Sequence, residues 1–80
     1  MPKLPQVSGN EVVGLLRSLG YEVVRQRGSH IRLRKDTPLG EHNITVPAHA
    51  VLAKGTLNDI LGKVSLWNNI PKEDLISRLR

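Results

Sequence analysis

From His30 to Lys35 the chain alternates, with Ile31 and Leu33 set against His30, Arg32 and Arg34. A period of two with one apolar side marks a strand that buries one face and shows the other to water. Turn chemistry brackets the segment, Gly28-Ser29 before it and Asp36-Thr37-Pro38-Leu39-Gly40 after it. Two short β-branched runs flank these turns. One is Tyr21 to Arg27; the other is His42 to Val46, with Ile44 and Val46 inward and Pro47 closing it. Strands joined by such short links pair antiparallel, so the His30 strand is the middle one of three.

Helical patterns fill the rest. Ser8 with Glu11 three residues on is a capping box, and Val12, Val13, Leu15, Leu16 and Leu19 share a face. The spacing predicts a helix over 9–19, ended by Gly20. Thr56 with Asp59 opens a second helix whose stripe is Leu57, Ile60, Leu61 and Val64. Asn68-Asn69 breaks it, and Pro71, Glu73 and Asp74 suit the start of a short third helix. Leu75, Ile76 and Leu79 would be the apolar side of that helix, with Arg78 and Arg80 at its C-terminal end. Residues 1–7, with Pro2 and Pro5, read as an extended arm of one domain covering 1–80. The expected class is α+β, in the order α-β-β-β-α-α, with helices on one face of a three-stranded antiparallel sheet. This order resembles the double-stranded-RNA-binding domain, a likeness of fold that says little about function by itself.

With 80 residues, one domain is the only sensible count. There is no cysteine, which excludes disulfide staples, cysteine zinc sites and thiol catalysis. No apolar run approaches the roughly 18 residues a membrane span needs, and Met1-Pro2-Lys3-Leu4-Pro5 lacks the apolar core of a signal peptide. The expectation is a cytoplasmic protein that makes no use of a membrane. The formal charge is +5, and between Arg25 and Lys35 stand five basic residues and no acid. That concentration points to a polyanionic partner. The aromatic rings of Tyr21 and Trp67 are too few for a sheet that stacks several bases. Both read as covers over the core, with the Tyr21 hydroxyl in need of an outlet.

The residues that can do chemistry are few. The three histidines form no H-E-x-x-H and no helical i, i+4 pair, so neither a metal nor another cofactor is expected. Lys54-Gly55-Thr56 is not a phosphate loop; it reads as a helix start, whose free N–H groups can still attract a phosphate. A two-residue Gly28-Ser29 loop would pair Arg27 with His30, Arg25 with Arg32 and Val23 with Arg34. Arg25, Arg27, His30, Arg32 and Arg34 then share the water-facing side, and Lys35 points the other way. A neutral imidazole there can take a proton from a ribose 2′-OH while guanidiniums stabilise charge on the phosphate. An ordinary solvated surface histidine is the competing reading. His42, at a strand end, reads as surface.

Four motifs stand in order: Gln26-Arg27-Gly28-Ser29-His30, then Thr45-Val46-Pro47-Ala48-His49, then Lys54-Gly55-Thr56-Leu57, then Ile60-Leu61. Together with Ser8-Gly9-Asn10-Glu11-Val12-Val13 and Leu19-Gly20-Tyr21, this series resembles the HicA family of toxin mRNA interferases. The resemblance spans nearly the whole chain. It implies a ribonuclease that cleaves mRNA without a metal, using the histidine of Gly-Ser-His, here His30. It also implies a HicB-type antitoxin that covers this site. The expected RNA contacts are Arg25, Arg27, Ser29, Arg32, Arg34, His49 and Lys54. His49, in the matching Val-Pro-x-His, either shapes its loop or touches substrate. Two other functions fit the basic face without needing His30. One is a non-catalytic RNA-binding module, the other a protein-interaction domain that docks an acidic partner.

Overall fold

A computed structural model describes residues 4–79. Residues 1–3 of the expected arm, and Arg80, lie outside the described residues. The order is α1 (Gly9–Ser18), β1 (Glu22–Arg27), β2 (His30–Thr37), β3 (Gly40–Pro47), α2 (Lys54–Asn68) and α3 (Lys72–Arg78). The sheet is antiparallel in the order β1-β2-β3, with β2 central.

α1 begins as its sequence dictates. Glu11 N–H donates to Ser8 Oγ and Ser8 N–H to Glu11 Oε1, both at 3.1 Å. Its first residue, Gly9, packs directly on the chain leaving β3. A Cβ built there would overlap the Pro47 carbonyl oxygen and lie 2.9 Å from its carbon. Only glycine permits this approach.

On β2 and β3, Ile31, Leu33, Ile44 and Val46 are buried and their neighbours face water. They meet Val12, Leu15 and Leu16 from α1 and Leu57, Ile60, Leu61 and Val64 from α2, with Leu75 and Ile76 of α3 completing the core. β1 differs: all six of its residues are exposed, including Val23 and Val24. It is an edge strand, lined with Glu22, Arg25 and Arg27, and charges of this kind discourage pairing with another chain.

Three local expectations are corrected. α2 starts at Lys54, with Ala53 as an N-cap that makes no side-chain bond, so Thr56 lies within the helix. The first turn is closed by Leu57 N–H donating to the Ala53 carbonyl at 2.9 Å. A β-bulge between Val23 and Arg25 shifts the upper half of β1 by one residue. Glu22 instead of Val23 therefore lies opposite Arg34. His42, expected on the surface, is 5% exposed. It occupies the inward rung of β3 below Ile44, where alternation continues into a polar residue.

His42 is accommodated by a polar network at the end of the core. Asn68 Nδ2 donates to the Tyr21 hydroxyl oxygen at 2.9 Å and to the Val64 carbonyl at 2.9 Å. The Tyr21 proton can then go to His42 Nδ1, 2.6 Å away. Lys35 Nζ, on the helical side as expected, donates to Asn68 Oδ1 at 2.6 Å. Burial pushes the His42 pKa down, and the nearby Lys63 charge adds to this.

Candidate nucleic-acid interface

The face of the sheet turned away from the helices carries three cross-strand rungs. The first is Arg27–His30–Pro47, the second Arg25–Arg32–Thr45, and the third Glu22–Arg34–Asn43. Directly opposed residues share a face. Arg25, Arg27 and Arg32 thus stand with His30 on two adjacent rungs, all exposed.

The turn before His30 is built for this placement. Gly28 has φ +58°. That suits a two-residue hairpin with glycine at its first position, and it keeps Arg27 opposite His30. The Ser29 carbonyl accepts the Ala48 N–H at 2.6 Å, which ties the turn to the segment after β3. One residue further, the His49 carbonyl accepts the Gly9 N–H at 2.9 Å, and Leu52 N–H reaches the Val7 carbonyl at 2.8 Å. Ser29, His30 and His49 therefore gather at one end of the sheet, with the His49 ring exposed. Lys54 stands apart, exposed at the first turn of α2.

Arg34 shares the face but not the surroundings. Its guanidinium bonds Glu22 Oε1 at 3.0 Å, Asp36 Oδ1 at 2.8 Å and Glu41 Oε1 at 2.9 Å. These bonds, led by that to Glu41, raise its pKa further above the ordinary arginine value. Glu41 is held below the usual carboxylate range, first by Asn43 Nδ2 at 2.9 Å and then by Arg34. The three acids were not singled out from the sequence. Alternation alone would have put Asp36 and Glu41 on this face. Nothing local announced the bulge that brings Glu22.

Among the described residues, no three His, Cys, Asp or Glu side chains are grouped as a metal ion requires. No helix among them is long and apolar enough to cross a membrane.

Comparison with known families finds a match to the model for the HicA toxin of bacterial toxin–antitoxin systems over residues 9–66. Comparisons with curated proteins and with solved structures return no match. The matched span runs from the first residue of α1 almost to the end of α2 and includes all three rungs. It covers well over half of the chain, and the chain belongs to the HicA toxin family.

Proposed function

We propose that this protein is a toxin endoribonuclease that cleaves mRNA in the cytoplasm, with His30 as its proton-transfer group and no metal. The observation that carries the reading is the position of His30: exposed on β2, opposite Arg27 and one rung from Arg25 and Arg32. A phosphodiester lying across these rungs meets guanidiniums that neutralise its charge. The neutral imidazole removes the 2′-OH proton, the 2′ oxygen attacks the adjacent phosphorus, and the bond to the 5′ oxygen breaks. The departing oxygen takes up a proton from solvent water, the His30 imidazolium returns its proton to solvent, and the products carry a 2′,3′-cyclic phosphate and a 5′-hydroxyl. Ser29 and His49, beside the same turn, contact the substrate, and Lys54 meets a more distant phosphate. A single acid–base group supplies about 10²–10⁴-fold. That is modest, and adequate for a toxin that needs only to disable messages.

Membership of a toxin–antitoxin family supports an antitoxin partner. In this reading a HicB-type antitoxin docks acidic groups on Arg25, Arg27 and Arg32, and so competes with RNA.

The test is purified protein on single-stranded RNA, with His30→Ala beside it. The variant should keep its melting temperature, because truncating an exposed side chain opens no cavity. It should still bind RNA and should cleave none. Cleavage at the wild-type rate would remove His30 from the mechanism. Binding by both proteins without cleavage by either would leave a binding module.

A further inference from the structure

We infer that the Arg34 cluster is a boundary that confines RNA to one end of the open sheet face; this rests on the RNA reading above. The face is polarised along the strands. Its lower two rungs hold Arg25, Arg27 and Arg32 with no acid among them. Between the third rung and the Asp36–Glu41 pair beyond it, one guanidinium meets three carboxylates, which leaves that end with two negative charges. Among the described residues Arg34 is the only basic side chain on this face at that end, and three of its five N–H donors go to Glu22, Asp36 and Glu41. With three carboxylates bonded to it, it offers a phosphate no net positive charge.

Distance makes the boundary effective. Arg32 and Arg34 are two residues apart on β2, about 7 Å along the strand. This is within the Debye length of about 8 Å at physiological salt, so the acid end acts on any phosphate placed beyond Arg32. The backbone must then cross the strands near His30 and cannot continue along them to the Pro38–Leu39 hairpin. The bulge in β1 is part of the device. Without it Val23 would oppose Arg34, and the third rung would lose Glu22. Arg34 thus helps to determine where RNA lies without touching it.

The experiment is a salt titration of binding by the full chain, using a uridine oligonucleotide with 2′-O-methyl riboses, which the proposed chemistry cannot cleave. Wild type should show a slope of about −2.8 in log K against log salt, four phosphate contacts (Arg25, Arg27, Arg32 and Lys54) at roughly 0.7 each. Arg34→Gln should leave that slope unchanged, whereas Arg32→Ala should flatten it by about 0.7. The triple variant E22Q/D36N/E41Q frees Arg34 and removes the acids. It should bind more tightly at low salt with a slope near −3.5, about 0.7 steeper than wild type, and adding R34Q to it should remove that increment. Far-ultraviolet circular dichroism and melting curves establish that each variant is folded. A wild-type slope already flattened by R34Q would make Arg34 a phosphate contact and overturn the boundary. So would a triple variant that binds RNA as wild type does, including one that loses only antitoxin affinity. Absence of salt-dependent binding by wild type would overturn the RNA reading itself, and the boundary with it.

Discussion

The His42 imidazole lies flat against the Trp67 indole, ring centroids 4.8 Å apart and planes 6° from parallel. Its Nδ1 is engaged by Tyr21, and burial lowers its pKa. In the unfolded chain this histidine titrates near the ordinary value of about 6.5. Above that pH it is neutral in both states, and its contribution to stability is constant. Below it the unfolded chain takes up a proton that the folded chain resists, so stability falls until the lowered folded-state pKa is passed. The melting temperature should drop between pH 7.5 and pH 5, and His42→Phe should reduce that drop. Equal pH dependence in both proteins would show that His42 does not titrate on unfolding.

Tyr21→Phe tests the same network from the other side. The change removes the hydroxyl between Asn68 Nδ2 and His42 Nδ1 while keeping the ring. Leaving buried polar groups without a partner costs about 1–3 kcal/mol. In a domain of this size each kcal/mol lowers the melting temperature by roughly 4–8 °C. Thermal unfolding at pH 7.5 reads the loss directly, and a drop of under about 2 °C would mean that water replaces the hydroxyl.

Two glycines in α1 should respond in opposite directions to the same substitution. Gly9→Ala drives a methyl into the Pro47 carbonyl and parts the Gly9–His49 hydrogen bond. Overpacking of this kind costs about 1–3 kcal/mol. Gly14 is exposed, and nothing lies within 4 Å of its would-be Cβ. Gly14→Ala should stabilise by roughly 0.5–1 kcal/mol through helix propensity. Paired urea unfolding curves check both signs.

Lys35 and Arg32 separate stability from binding. Arg32→Ala should weaken RNA binding and leave the melting temperature unchanged, since the side chain is exposed. Lys35→Ala should do the reverse. It removes the ammonium bonded to Asn68 Oδ1 on the helical side. Filter binding and thermal melts on the two variants would expose any exchange of roles.

Cleavage should persist in excess EDTA. The chain has no cysteine, and the proposed step uses His30 and guanidiniums alone. Activity lost on chelation and restored by a divalent metal would overturn the metal-free step.

The parts of this fold that were legible from sequence are those encoded by neighbours. Ser8 and Glu11 are three residues apart, and Ile31 and Leu33 alternate with His30 and Arg32 within one strand. The same logic should have placed His42, which falls in the inward series with Ile44 and Val46. A lone polar residue at a strand end looks solvated until its partners are known. Those partners, Tyr21, Trp67 and Asn68, come from distant segments. The carboxylates around Arg34 were hidden for a related reason. Glu22, Asp36 and Glu41 lie on three strands, and one arrives through a bulge that no residue of β1 announces. At the candidate site, the Arg27–His30 and Arg25–Arg32 pairs followed from loop length alone.

The segment that carries His49 is secured at Ala48, His49 and Leu52 by main-chain atoms, through Ser29, Gly9 and Val7. Amide and carbonyl groups are common to nearly every residue, so the path of this segment is largely indifferent to the side chains it bears. Ala50 and Val51, both exposed, can therefore change in size and polarity while His49 keeps its place beside the Gly28–Ser29 turn. Under the proposed function, such a rim can be re-sculpted to meet a different RNA or a different antitoxin without moving the backbone beside His30.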